Sequence, residues 1–137
     1  MFIKINTHNT NLPIAHGDWM DLFTAEEITM RKGDYKLISL GISMEIPENF
    51  YAIIAPRSST FKNYGIIQAN SIGIIDNSYN GDGDIWRFPA FATRDIKIPI
   101  NSRICQFTIL KNTMNQIDFV QCVLKNNNRG GFGSTGK

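Results

Sequence analysis

The strongest constraint on this chain is the brevity of its apolar runs. They are short, rich in β-branched residues, and closed by Gly, Asn or Pro before a helical period can establish itself. "YKLISLGISMEIP" (35–47) alternates as a strand does and predicts a bend at Gly41. "FYAIIAPR" (50–57) predicts another strand after the turn "PEN". "YGIIQANSIGIID" (64–76) predicts two short strands joined by a tight corner. Pro89 in "DIWRFPAFATR" (84–94) predicts an edge strand or a bulge, because proline cannot donate to a ladder. "DIKIPI" (95–100), "NSRICQFTIL" (101–110) and "IDFVQCVL" (117–124) complete the series, the last as the final strand. Helix is scarce. "TAEEITMRKG" (24–33) pairs Thr24 with Glu27 in the manner of a capping box, but its apolar spacing is poor. "SSTFKNYG" (58–65) predicts two helical turns, opened by Ser58 or Ser59 and closed by Gly65. Many short strands with such turns predict an all-β barrel or sandwich. At 137 residues the chain makes one domain with a real core.

Composition removes several function classes. Fourteen basic residues against twelve acidic ones leave a formal charge of +2, too small an excess to point to DNA or RNA. No run approaches the ~18 apolar residues of a membrane helix, and the first residues lack a signal-peptide pattern, so a soluble cytoplasmic protein is expected. Cys105 and Cys122 both lie in apolar runs and are expected as free core thiols. With two histidines far from either cysteine, a zinc cluster is not expected.

Polar residues interrupt the apolar pattern at informative places. In "PRSSTFKNYG", Arg57, Ser58 and Ser59 precede a helical turn, a composition suited to an oxyanion; a plain helix cap with a surface arginine is the alternative. Asp76 ends a strongly apolar run, which places its carboxylate at the rim of any pocket there. Tyr79 follows three residues on, as a pocket aromatic or an ordinary half-buried one. Asp82 and Asp84 suit a solvated turn, since the glutamate of a calcium loop is missing. His16, Asp18 and Asp21 cluster in "HGDWMDL": the histidine reads as structural or exposed, while Asp21 suits a hydrated Mg²⁺. Gln106 sits among apolar residues and needs a partner or a wet pocket. In the tail "NNNRGGFGSTGK", Phe132 can cover a planar ring, and Ser134, Thr135 and adjacent amides can form an anion nest that glycines permit.

Five segments, "HGDWMDL", "PRSSTFKNYGI", "NSIGIIDNSYNG", "RICQFTI" and "RGGFGSTG", stand in an order that resembles the trimeric deoxyuridine triphosphatases (dUTPases) over nearly the whole chain. The resemblance is strongest to a variant found in some Gram-positive bacteria and their phages. It implies a jelly-roll-like β barrel over 1–125 with a flexible C-terminal lid over 126–137, assembled as a homotrimer whose sites are shared between subunits. It implies Mg-dependent hydrolysis of dUTP to dUMP and pyrophosphate, which lowers dUTP and supplies dUMP for thymidylate synthesis. By the same resemblance Asp76 would activate water, Tyr79 would stack under deoxyribose, and Asn70 with Gly73 and Ile75 would surround the uracil edge. Arg57, Ser58, Ser59 and Gln106 would contact phosphates. Asp21 would reach Mg²⁺ through water. Phe132 would close over the base, and Arg129, Gly133, Ser134 and Thr135 would hold the terminal phosphate.

Two departures from the family pattern stand out. Only Gly130 and Gly131 separate Arg129 from Phe132, and "GDGDIWRFPAFATRD" is longer than its usual counterpart, so Phe88 and Phe91 are alternative stacking rings. The segment from Asp82 to Arg94 is also a candidate surface for a regulatory protein. A dCTP deaminase-like enzyme of the same fold is the competing activity.

Overall fold

The computed structural model describes residues 1–8 and 10–134. Its elements are β1 (Lys4–Thr7), β2 (Ile14–His16), β3 (Trp19–Phe23), β4 (Ile28–Met30), β5 (Tyr35–Ser39), β6 (Ile42–Glu45), β7 (Phe50–Pro56), α1 (Thr60–Tyr64), β8 (Ile66–Gln68), β9 (Gly73–Ile75), β10 (Arg87–Ala92), β11 (Ile96–Ile98) and β12 (Arg103–Lys111), followed by a 3₁₀ turn at Met114–Gln116. The all-β expectation holds. Strands pair antiparallel in the orders β1-β6, β5-β10-β8, β11-β4 and β2-β3-β12-β7-β9. Among the described residues no single ladder closes into a barrel; four sheets share one core instead.

Alternation explains how that core is filled. Phe88, Ala90 and Ala92 of β10 point inward and are fully buried, while Arg87 and Phe91 face out. Trp86, just before β10, is also fully buried and meets Phe107 of β12 edge-on, centroids 5.3 Å apart at 86°. Such a pair contributes about 0.5–1.5 kcal/mol beyond its burial. Ile38, Leu40, Ile42, Ile54, Ile66, Ile98 and Ile104 complete the apolar interior.

The structure corrects several expectations. The run 35–47 is two strands in different sheets, not one bent strand. Gly41 makes the break at φ +64°, where an added Cβ would lie 2.7 Å from the Ala25 Cβ, so only glycine fits. Pro89 lies in a central strand, between β5 and β8. The ladder to β8 begins one residue later at Ala90, and the Pro89 carbonyl accepts from the Ala69 N–H at 2.8 Å. The 24–33 segment holds β4 rather than a helix, because it pairs with β11. The hairpin β2–β3 was legible in the two-residue Gly17-Asp18 turn between His16 and Trp19, a signal the apolar-run reading passed over. Helix α1 forms where predicted, with Ser59 before it and Gly65 at φ +63° after it.

The largest correction concerns the C-terminal part. Residues 117–124 form no strand. Phe119, Val120, Val123 and Leu124 are 94%, 84%, 86% and 78% exposed. Cys122 is exposed with them, so of the two thiols only Cys105 lies in the core, where burial pushes its pKa up. The residues have strand chemistry, but no edge of their own chain receives them.

Candidate functional site

Two clusters form at opposite ends of β7. The first lies at its C-terminal end. Asp21 on β3 sits opposite Gln106 on β12, and Gln106 sits opposite Ala55 on β7. The Asp21 side chain is fully buried, and its Oδ2 meets Arg57 Nε at 3.1 Å and Arg103 Nη1 at 3.3 Å. A carboxylate this deep requires such partners, since an unpaired buried charge is costly. Arg57 also donates through Nη1 to the Arg103 carbonyl at 3.2 Å, locking the two arginines together. The loop carrying Arg57 is pinned by Thr60, whose Oγ1 accepts from the Arg57 N–H at 2.8 Å and donates to the Ile104 carbonyl at 2.7 Å. Ser58 is exposed and Ser59 half-buried beside it. Gln106 finds its partner by donating Nε2 to the Pro56 carbonyl at 3.2 Å. Arg103 and Thr60 were not singled out from the sequence. Arg103 lies 82 positions from Asp21, so only the pairing of β3 with β12 reveals the contact.

The Asp21 Oδ1 is buried and has no partner among the described residues. No group of three or more His, Cys, Asp or Glu side chains forms a metal cage among them. The donor set therefore fits a Mg²⁺ held chiefly by substrate oxygens and water, with Asp21 Oδ1 as a carboxylate acceptor toward it.

The second cluster follows β9. Asp76 is exposed, and its Oδ2 accepts from the Ser78 N–H at 3.0 Å and from the Ser78 hydroxyl. These bonds, the hydroxyl's first, hold the Asp76 carboxyl below its ordinary value of 3.8. The same turn continues to Tyr79, whose N–H donates to the Asp76 carbonyl at 3.0 Å and whose hydroxyl donates to the Ile85 carbonyl at 3.0 Å. The phenol is thereby fixed while its ring stays 38% exposed. Asp76, Ser78 and Tyr79 line an open cleft of about 380 Å³ together with Ile74, Ile75, Ile85 and Arg87. Asn70 lies on the exposed corner between β8 and β9, and Gly73 is buried at the corner's base.

These clusters do not meet within one chain. Ala52 of β7 pairs with Ile75, so Asp76 lies beside the N-terminal part of β7, whereas Arg57 follows its last residue. Six residues of strand separate the two levels, about 20 Å. The described residues of the tail join neither cluster. Arg129 Nε donates to the Gly130 carbonyl at 3.3 Å, the Gly131 N–H donates to Ser134 Oγ at 2.7 Å, and Phe132 is wholly exposed with φ +53°. Thr135 lies outside the described residues. Of the alternative rings, Phe88 is in the core and Phe91 faces out from β10. His16 and Asp18 mark the β2–β3 turn, and Asp84 accepts from the Gly81 N–H at 2.9 Å, so all three serve turns.

Comparison with known proteins matches residues 19–136 to the dUTPase family model. The chain is 53% identical over 124 residues to the SPbeta prophage-derived deoxyuridine 5'-triphosphate nucleotidohydrolase YosS of Bacillus subtilis, covering 90% of this chain and 87% of the relative. Its fold is similar to that of the Staphylococcus bacteriophage 80alpha dUTPase solved with dUPNHPP: TM-score 0.83, 18% identity, 98% of each chain covered. It is also similar to a D95N mutant dUTPase from phage phi11 of S. aureus, described with a structural Mg(II) ion: TM-score 0.70, 14% identity, 93% of this chain and 97% of that one.

Proposed function

The chain belongs to the dUTPase family, and we propose how it hydrolyses dUTP to dUMP and pyrophosphate: with water activated by Asp76 of one subunit against phosphates held by Arg57 of another. The observation that carries the shared site is the separation of the clusters along β7. A triphosphate cannot touch both ends of a seven-residue strand in one chain, but it can bridge two chains. The exposed apolar stretch 117–124 supports the same reading, since a neighbouring subunit is the natural cover for strand-like residues that their own chain leaves bare. We take the assembly to be a homotrimer of jelly-roll-like bodies (1–125), with 126–137 closing over a site as a lid.

Asp76 suits the base role because it is ionised, unpaired with any cation among the described residues, and aimed by Ser78. It takes a proton from water as the water attacks the α-phosphorus; the α–β bridging oxygen leaves with pyrophosphate. Tyr79 supports the sugar face with its ring, which its bond to Ile85 holds still. The Asn70–Gly73 corner and Ile75 surround the base, and Ser58, Ser59 and Gln106 flank Arg57 on the phosphate side. Phe132 covers the base, and Arg129, Gly133, Ser134 and Thr135 close on the terminal phosphate. When bound, Mg²⁺ would offset phosphate charge, and Asp21 Oδ1 would be the residue's acceptor toward it. The work is cytoplasmic. The 82–94 segment, with Phe91 41% exposed, is a surface for a regulatory protein.

Two experiments test this. Supplying each deoxynucleoside triphosphate with Mg²⁺ should release pyrophosphate from dUTP far faster than from dCTP, with no ammonia from dCTP. Co-expressing Asp76→Asn and Arg57→Ala chains should restore about a quarter of wild-type turnover, because random assembly gives that share of interfaces both intact residues. No recovery in a verified mixed oligomer would place the whole site in one chain.

A further inference from the structure

Beneath the corner that surrounds the base lies Gln68, which neither the motifs nor the mechanism uses. It is the last residue of β8, its side chain is 3% exposed, and its amide is only half satisfied. Nε2 donates to the Ile54 carbonyl at 3.3 Å; Oε1 is buried without a partner among the described residues. Ile54 is the β7 residue opposite Gly73, where the β7–β9 ladder ends and the chain leaves for the corner. Gln68 thus supplies a donor at the end of a ladder that has run out of backbone. The fit is close: a Cβ on Gly73 would lie 3.3 Å from Gln68 Nε2 and 3.8 Å from Asn70 Nδ2, which puts both amides against one point of the corner.

The corner itself is bent tightly. The Ser71 N–H donates to the Gln68 carbonyl at 3.0 Å, and the Ile72 N–H donates to the Asn70 carbonyl at 2.7 Å, two residues back. Ser71 sits at the apex with φ +64°, a left-handed conformation that costs a non-glycine residue energy and persists only when its surroundings enforce it. Gln68 is the buried side chain placed to enforce it. Because the Ile54 carbonyl can only accept, the amide orientation of Gln68 is fixed, and Oε1 can only accept in turn.

We propose that Gln68 is a specificity-determining positioning residue: it locks the Asn70–Gly73 corner from beneath, donating to Ile54 and accepting from Asn70 Nδ2 once the base is seated. This rests on the dUTP reading of that corner. A loosened corner binds the base less well in the ground and transition states alike, so the loss falls on KM rather than kcat.

The test is steady-state kinetics of full-length Gln68→Leu with dUTP and dCTP, alongside thermal melting. The lock predicts a rise in KM for dUTP of about tenfold, the scale of one lost buried hydrogen bond, with kcat changed less than about twofold. The preference for dUTP over dCTP should narrow by a similar factor. A lowered melting temperature with unchanged KM and unchanged preference would overturn the proposal and leave Gln68 as packing. Should Gln68→Leu not fold, Gln68→Met keeps an unbranched side chain of similar volume and carries the same expectations. A wild-type enzyme that ignored dUTP would instead overturn the dUTP reading on which the lock rests, an outcome distinct from an altered KM in the variant alone.

Discussion

At one end of β7, Arg57 and Arg103 close on the buried carboxylate of Asp21. At the other, Asp76 stands in solvent, held by a turn of its own making. Asp21 is neutralised by two guanidinium groups and holds both in place. Asp76 has hydroxyl and amide donors but, among the described residues, no cation, which suits the base role proposed for it. The arginine end is built by three strands of one chain; under the shared site proposed above, the Asp76 end would meet its phosphates on a neighbouring chain. The division of labour is therefore electrostatic as well as geometric.

The sharpest way to break the comparison is to remove its exposed half. Asp76→Asn should lower kcat by about 10²–10⁴-fold while a non-hydrolysable dUTP analogue binds almost as before. Turnover close to wild type would assign the base elsewhere. Next in size are two truncations. Deleting 128–137 should cost roughly 10²-fold in kcat, the scale of losing donors around the reacting phosphates, with the oligomer intact. Deleting from 117 onward should also weaken assembly, read by analytical ultracentrifugation. An oligomer indifferent to the longer deletion would mean that 117–124 covers nothing.

The buried half should respond through stability as well as rate. Asp21→Asn keeps the shape but leaves Arg57 and Arg103 without their counter-charge, at a cost of about 1–3 kcal/mol in unfolding free energy together with weaker phosphate binding. Unchanged stability would show that the arginines hold their places without Asp21. The smallest effect belongs to Ser78→Ala. Because Ser78 depresses the Asp76 pKa, the base form survives to lower pH than an ordinary carboxylate would allow, and is lost only as pH falls through the folded value. Without the hydroxyl the acid limb of the kcat profile should move to higher pH. An unmoved limb would mean that it reports another group.

Local chemistry announced much of this. The "SSTFKNYG" turn, the strands of β7, β11 and β12, and the corner before Gly73 were legible from spacing and turn residues. So was the place of Asp76, an acid at the end of an apolar strand and on the rim of a cleft. Arg103 was not legible, because its partner lies 82 residues away and nothing in "NSRICQ" names it. Nor was Gln68: a glutamine at the end of a short strand looks like a surface residue until the Ile54 carbonyl is seen beneath the corner.

The misreading of 117–124 is the most instructive. Its residues are as strand-like as those of β12, and periodicity cannot say which chain's edge they serve. Side-chain period and turn chemistry are local, so the sequence alone determined the all-β class, most strands and the order of the motifs. Which residues face one another across strands is decided by register between distant segments. Only the tertiary structure could therefore bury Asp21 between two arginines and set Asp76 some 20 Å away at the far end of the same strand.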